Sequence, residues 1–231
     1  RFYNSDTGEF YIEDYLHTIA LIQMVLEASI HWGQFPTRQI ALRSHLFRTT
    51  GLGPANLSSL LMAAGLPYDS EEARTMAAAI VGVMTGYSYY VSSLMAQKLN
   101  PFEKYSLNAE HMLRVLRNHS RVAGAREDDY EGLSYRPMEV NHDLLEKLGC
   151  SNISEALKRA WNLAIESGSH FGYRNAQVSV VAPTGTISFA MDCGATSIEP
   201  FYAHVIYKKL VSRSGMVMVN PVIESTLNDL G

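Results

Sequence analysis

Apolar residues in the first part of the chain recur at the spacing of a helix. From Ile12 to Ile30 every third or fourth residue is apolar, which is the period of one buried helix face. Leu21, Met24 and Val25 add apolar side chains on other faces. We therefore expect a first helix that is buried on most of its sides.

Glu27 and His31 lie one turn apart on this predicted helix. Carboxylate and imidazole groups at this spacing can bind a metal ion, but the sequence offers no third ligand nearby. We therefore predict an ordinary pair of side chains on the helix surface.

The same periodicity predicts further helices separated by glycine and proline. They cover residues 37–47, 54–65, 71–99, a stretch from Asn108, 143–148 and 152–167. Gly82 and Gly86 in the longest helix permit a neighbouring element to approach closely. Arg114, Arg117 and Arg121 share a helix face, which we interpret as a solvated surface. Residues 122–142 are predicted to form the longest irregular connection.

Three stretches have the composition of strands, near residues 48–53, 177–182 and 202–210. The second contains the β-branched run from Val178 to Ala182, which indicates a buried strand. Because long helical stretches separate the three, we expect parallel pairing with the helices packed outside, in an α/β architecture.

The strand near residue 180 stops at Pro183 and is followed by Thr184-Gly185-Thr186-Ile187-Ser188. Three hydroxyl groups and a glycine in one loop can direct several donors at an anion, particularly if a helix begins there. We interpret the loop as a phosphate cradle; an ordinary turn is the alternative that composition alone favours. It is not a P-loop, because no Gly-Lys pair occurs in the chain.

A second glycine-containing stretch, Gly51-x-Gly53, is not a dinucleotide-binding fingerprint. Asn56 replaces the third glycine, and no βαβ unit with a suitably spaced acidic residue follows. We assign Asn56 a role at the start of a helix or in packing rather than in a site.

Composition excludes several classes of protein. The chain has 231 residues, of which 47% are hydrophobic and 18% charged, so a sizeable core is expected. A net charge of −4 gives no reason to expect binding to nucleic acid or membranes. The only cysteines, Cys150 and Cys193, suit a reducing, cytoplasmic setting. The chain starts at Arg1 and stops within a predicted helix, so we expect a segment truncated at both ends.

Three strings of the sequence resemble the large chain of ribonucleotide reductases, and most closely its adenosylcobalamin-dependent (class II) branch. They are Ala182 to Ser188, Met191-Asp192-Cys193 and Ser197-Ile198-Glu199-Pro200. Arg48 to Leu57 matches a further family segment, Arg-x-x-Gly-Leu-Gly-x-x-Asn-Leu. The resemblance implies the second half of a ten-stranded α/β barrel with outer helices. It assigns the substrate phosphates to the loop formed by Pro183, Thr184, Gly185, Thr186, Ile187 and Ser188.

The resemblance implies reduction of ribonucleotides to deoxyribonucleotides by a thiyl radical, with adenosylcobalamin as cofactor and a thiol electron donor such as thioredoxin. The family's radical cysteine lies in an Asn-x-Cys-x-Glu string, which this sequence lacks. We therefore assign no catalytic residue here, give Cys193 a structural role, and expect the remaining segment of the reductase chain as a partner. The alternatives are a class I large chain and a non-catalytic phosphate-binding fragment or split-gene half.

Overall fold

The computed structural model describes residues 2–209, 215–220 and 222–230, and most of this structure is helical. The helices are α1 (Ile12–Trp32), α2 (Arg38–Phe47), α3 (Leu57–Ala63), α4 (Glu71–Leu99), α5 (Tyr105–Val122), α6 (His142–Lys147), α7 (Ser151–Phe171), α8 (Gly185–Ala190) and α9 (Ile223–Leu230). The strands are β1 (Tyr3–Asn4), β2 (Glu9–Phe10), β3 (Val205–Lys209) and β4 (Gly215–Val219).

The core lies between α4 and α7, the two helices with the most extensive mutual packing. A Cβ atom on Gly82 would lie 2.8 Å from Cδ1 of Leu157, and one on Gly86 would lie 2.9 Å from Nε1 of Trp161. The two glycines therefore let α7 approach α4 closely, as predicted. Trp161 is 2% exposed at this interface.

Helix α1 packs through one face only, so the expected burial on most sides is wrong. Its buried positions keep a spacing of three to four residues and point towards α4 and the core. Leu21, Met24 and Val25 are exposed at 46%, 44% and 61%. The described residues of the chain contain no helix that is both long enough and apolar enough to cross a membrane.

Two of the three predicted strands pair in parallel, although each is shorter than expected. The amide of Leu52 donates to the carbonyl of Val178, and the amide of Val180 donates to the carbonyl of Leu52, both at 2.9 Å. The intervening helices supply the crossover that parallel pairing needs. Val178 is buried, but Val180 and Val181 are 39% and 50% exposed.

The third predicted strand pairs differently, and the expectation of parallel pairing is wrong for it. β3 runs antiparallel to β4, with Val205 opposite Val219 and Lys209 opposite Gly215. Alternation along a strand reports which side chains share a face but not which strand is the neighbour. The predicted turn after Lys209 lies outside the described residues.

Several predicted helix boundaries change in the structure. Helix α3 starts at Leu57 rather than at Pro54, and α5 starts at Tyr105 rather than at Asn108. Helix α7 continues past Gly168, where a Cβ atom would lie 2.0 Å from the ring of Tyr173. Gly168 is therefore a packing residue, and not the end of the helix. The N-cap of α7 is Cys150, which makes no side-chain capping bond.

The predicted solvated arginine face on α5 is largely an ion-pair network. Arg121 is 5% exposed and pairs with Asp128 at 2.6 Å and Glu131 at 2.7 Å. Arg117 also pairs with Glu131, at 2.6 Å. These pairs hold the long connection between α5 and α6, which is irregular as predicted, against the helix surface.

Candidate functional site

The predicted phosphate loop follows the parallel strand segment and runs directly into α8. Helix α8 begins at Gly185, so a helix does start in the loop. It has only six residues, and its macrodipole is correspondingly small. Any anion binding here must therefore depend on individual donors.

The outer side of the loop is open. A Cβ atom added to Gly185 would meet no heavy atom within 4 Å, and Thr186 is exposed. Ile187 is 56% exposed beside them. The first amides of a helix have no acceptor within it, and the N-cap Thr184 makes no side-chain capping bond to them. Amide donors, one hydroxyl and free space therefore coincide at Gly185 and Thr186.

The inner side of the loop is occupied by the protein's own hydrogen bonds. The hydroxyl oxygens of Thr184 and Ser188 lie 2.7 Å apart, and Oγ1 of Thr184 accepts from the amide of Ser197 at 2.7 Å. Ser188 is 2% exposed. Of the six predicted site residues, Thr184 and Ser188 thus face the interior, whereas Pro183, Gly185, Thr186 and Ile187 face outwards.

Two glycines of the segment that pairs with the loop's strand allow the close approach. A Cβ atom on Gly51 would lie 2.8 Å from Cγ1 of Val180, and one on Gly53 would lie 2.4 Å from the carbonyl oxygen of Val180. Residues with side chains at these positions would push the strand, and the loop that follows it, out of place. The glycine pair is therefore a packing feature that supports the loop.

A cavity of about 420 Å³ adjoins α8 on the side of β3 and β4. Its lining includes the carboxylates of Asp192 and Glu199 together with Ser188, Cys193, Tyr202 and Asn220. The hydroxyl of Thr196 donates to the carboxylate of Glu199 at the wall. The cavity combines polar and apolar groups in a space suited to a small organic molecule.

Glu27 lies in a buried polar network, and its predicted place on the helix surface is wrong. It is 4% exposed and accepts from Nε of Arg48 at 2.6 Å and from Nε of Arg174 at 2.7 Å. Nδ2 of Asn175 donates to its other oxygen at 2.6 Å. Gln23, one turn earlier, is also buried and donates to Asn175 at 3.3 Å.

The sequence did contain a signal for this network. Glu27 shares the helix face of Ile19 and Ile30, both of which are buried, so its position on the core face could have been inferred from spacing. Among the described residues, no group of three or more His, Cys, Asp and Glu side chains could hold a metal ion.

The ribonucleotide reductase barrel-domain family model matches residues 1–231. The chain belongs to that family. It is 44% identical to a vitamin B12-dependent ribonucleotide reductase of Agrobacterium fabrum and 45% identical to one of Bradyrhizobium diazoefficiens, each over 100% of this chain and 18% of the relative. It is 26% identical, over 93% of this chain, to a ribonucleoside-diphosphate reductase subunit alpha of Chlamydia pneumoniae, and covers 18% of that relative.

The reductase barrel segment thus spans 18% of the length of these relatives. Cys150 does not have the surroundings of a reactive thiol. Cys150 is buried, and burial raises the pKa of its thiol above the usual range. The Cys193 sulfur is half-buried and lies 4.0 Å from the carbonyl oxygen of Met191.

Proposed function

We propose that this chain supplies the substrate-phosphate-binding part of a ribonucleotide reductase, which converts ribonucleotides to deoxyribonucleotides for DNA synthesis. The observation that carries the proposal is the open outer side of the loop, where Gly185 and Thr186 offer donors and free space in a member of this family. Phosphate oxygens suit such a loop because backbone amides and hydroxyls bind anions by charge-assisted hydrogen bonds.

The six loop residues have different roles in this proposal. The amides of Gly185 and Thr186 and the Thr186 hydroxyl contact the phosphate oxygens. Pro183 limits the freedom of the chain entering the loop, and Ile187 lies along the side of the substrate. Thr184 and Ser188 support the loop from its inner side, since their hydroxyls are hydrogen-bonded within the protein. Holding the substrate in register for chemistry elsewhere in the enzyme lowers the barrier by orientation.

We propose adenosylcobalamin as the cofactor of the whole enzyme, on the basis of the relatives that are named vitamin B12-dependent. The cofactor supplies the radical that the reaction needs. The described residues do not fit it by themselves, because the cavity of about 420 Å³ beside α8 suits a ligand much smaller than a corrin with its adenosyl and nucleotide groups. We therefore derive no step through it from this chain.

The rest of the reductase must complete the structure and the chemistry. We propose that residues 1–231 form a segment of the catalytic domain, the second half of a ten-stranded α/β barrel. The parallel pairing of Leu52 with Ser179 supports this architecture. The radical cysteine, the carboxylate base and the electron-donating thiols then come from the remaining segment. A thiol donor such as thioredoxin re-reduces the enzyme in the cytoplasm, and neither membrane nor nucleic acid takes part.

The test uses the full-length reductase that contains this chain, assayed for reduction of ribonucleoside di- and triphosphates. We expect Thr186→Val to raise the KM at least about tenfold, as expected for loss of a hydrogen bond to a charged group. We expect Gly185→Ala to raise the KM as well, because the new methyl group occupies the open space beside the retained amide. Gly215→Ala is the matched control, because a Cβ atom there also meets nothing within 4 Å and the residue is outside the loop. An unchanged KM in both loop variants would overturn the proposal.

The same assay separates the two enzyme classes. Activity that depends on added adenosylcobalamin supports the class II assignment. Activity that instead requires a separate radical-generating subunit would assign the chain to class I. A reductase that binds nucleotide without reducing it under either condition would leave the non-catalytic alternative.

A further inference from the structure

We propose that Asn56 is a positioning residue for the phosphate loop, acting through residues 195–197 and Thr184. This inference rests on the proposed phosphate-binding function. Asn56 is 128 residues before Thr184 in the sequence, and its side chain lies at the start of α3 rather than in the loop. Its effect on the loop is carried by hydrogen bonds through the intervening segment.

Asn56 has the position of a helix cap but does not act as one. Its backbone is left-handed, with φ 66°, and its side chain makes no capping bond to α3. Instead its Oδ1 accepts from the amide of Ala195 at 3.1 Å and from the hydroxyl of Ser59 at 2.5 Å. From a left-handed backbone, which Asn tolerates better than most residues, the side chain thus links Ser59 of α3 to the amide of Ala195.

The segment that Asn56 holds is attached to α3 and to the turn after it at further points. The amide of Leu57 donates to the carbonyl of Ser197 at 3.3 Å, and the hydroxyl of Ser58 donates to the carbonyl of Glu199. The hydroxyl of Tyr68 donates to the carbonyl of Ile198 at 2.6 Å. Because Ala195 and Ser197 are 7% and 2% exposed, water has little access to replace these bonds.

The held segment in turn binds the loop. Ser197 has a left-handed backbone with φ 41°, and its amide donates to Oγ1 of Thr184 at 2.7 Å. The same oxygen lies 2.7 Å from the hydroxyl of Ser188. Both partners of the Thr184 hydroxyl therefore come from within the protein, and one of them is placed by Asn56.

The contact between the Ser197 amide and the Thr184 hydroxyl affects the amide donors on the outer side of the loop. Threonine before a helix commonly turns its hydroxyl onto the amides of the second or third helical residue. In α8 these are Thr186 and Ile187, and the Ser197 amide keeps Thr184 away from them. Loss of the Asn56 contact loosens Ser197, so Thr184 can turn outwards and compete with a phosphate for the same amides.

The test is a double-mutant cycle in the full-length reductase, with the KM and kcat for a ribonucleotide as readouts. Asn56→Gly suits the left-handed backbone and removes the side-chain amide together with its acceptor Oδ1, and Thr184→Val removes the hydroxyl at nearly constant shape. We expect Asn56→Gly to raise the KM about fivefold, as for one ordinary hydrogen bond, with little change in kcat. If both residues act along one path, the double variant has the KM of Thr184→Val alone.

Two further variants make the result unambiguous. Asn100→Gly is the control, because Asn100 is another left-handed asparagine, with φ 66°, and it is exposed at the end of α4. Thr186→Val reports on the phosphate site itself, independently of Asn56. A raised KM in Thr186→Val together with an unchanged KM in Asn56→Gly would overturn the positioning role and leave the proposed function intact.

Hydrogen exchange separates failure of the site from failure of the positioning role. We expect the amides of Ala195 and Ser197 to exchange faster in Asn56→Gly and at the original rate in Asn100→Gly. Faster exchange with an unchanged KM would show that the segment is not coupled to substrate binding and would overturn the proposal. The proposal would also be overturned if the two effects on the KM multiplied in the double variant. The KM would then rise about 25-fold if each single change raises it about fivefold.

Discussion

The indole N–H of Trp161 donates to the backbone carbonyl of Gly82 at 3.1 Å, across the interface of α7 and α4. One turn further along α4, Gly86 leaves room for the same indole ring. A helix carbonyl can accept a second bond from a side chain only where the neighbouring helix is close. The two glycines and the tryptophan therefore form one contact that fixes the distance between the two main helices of the core.

Gly86→Ala is expected to destabilise the α4–α7 core. The new methyl group would lie 2.9 to 3.0 Å from three atoms of the Trp161 ring, which is hydrogen-bonded and cannot easily move. We expect overpacking to cost about 1–3 kcal/mol, against a gain of about 0.5–1 kcal/mol in helix propensity. Hydrogen exchange of α7 amides measures the loss. Gly185→Ala, with no close neighbour, should leave α7 unchanged; equal effects would contradict the explanation.

Glu27→Gln is expected to weaken the attachment of α1. The change removes the negative charge that Arg48 and Arg174 share and leaves two guanidinium groups beside a neutral amide. Breaking a buried ion pair typically costs about 3–5 kcal/mol. The local free energy of opening, from hydrogen exchange of the α1 amides, should fall accordingly. Glu166→Gln, a change at an exposed position of α7, is the control. A similarly small effect of the two substitutions would contradict the prediction.

The connection between α5 and α6 should loosen in acid. The guanidinium of Arg117, and then that of Arg121, lowers the pKa of Glu131 from 4.5 to about 2, against an opposing effect of burial. A lowered carboxyl pKa stabilises the folded state above the unfolded-state pKa, and this stabilisation is lost as the pH falls through the folded-state value. Protection of the amides of residues 126–139 should therefore decrease between about pH 4.5 and pH 2.

Glu131→Gln should remove the part of this pH dependence that comes from Glu131, since glutamine does not titrate. Asp128 retains a contribution of the same sign, because Arg126 and Arg121 lower the pKa of its carboxyl. Glu127→Gln, at an exposed position of the same connection, should keep the wild-type profile. A profile that is unchanged in Glu131→Gln would show that other groups control this segment.

Ser188→Ala should affect both stability and substrate binding, whereas Thr186→Val should affect substrate binding alone. The Ser188 hydroxyl is buried against Thr184, so its removal should lower stability by about 1 kcal/mol and also weaken substrate binding. Thr186 is exposed, so its change should affect the KM without affecting stability. Thermal unfolding and KM measured on the same samples make the comparison. A Ser188→Ala variant with normal stability and a raised KM would instead indicate that the hydroxyl contacts substrate directly.

Much of the local structure was predictable because it depends on neighbouring residues. The apolar period placed α1, α2 and α4 within a few residues of their observed bounds, and the glycines at 82 and 86 indicated a close helix contact. The family motifs indicated the barrel family that the comparison confirmed. Proline after a β-branched run located the loop at Pro183, and α8 begins within that loop.

The sequence by itself determined the order of helices, the parallel segment before the loop and the family, whereas the tertiary structure decided which side chains meet. Glu27 is buried because Arg48, 21 residues away, and Arg174, 147 residues away, converge on it. Thr184 faces inwards because the Ser197 amide binds it, and β3 is antiparallel because β4 is its neighbour. Periodicity reports burial along one element, but a hydrogen-bond partner distant in sequence is set by how the elements pack.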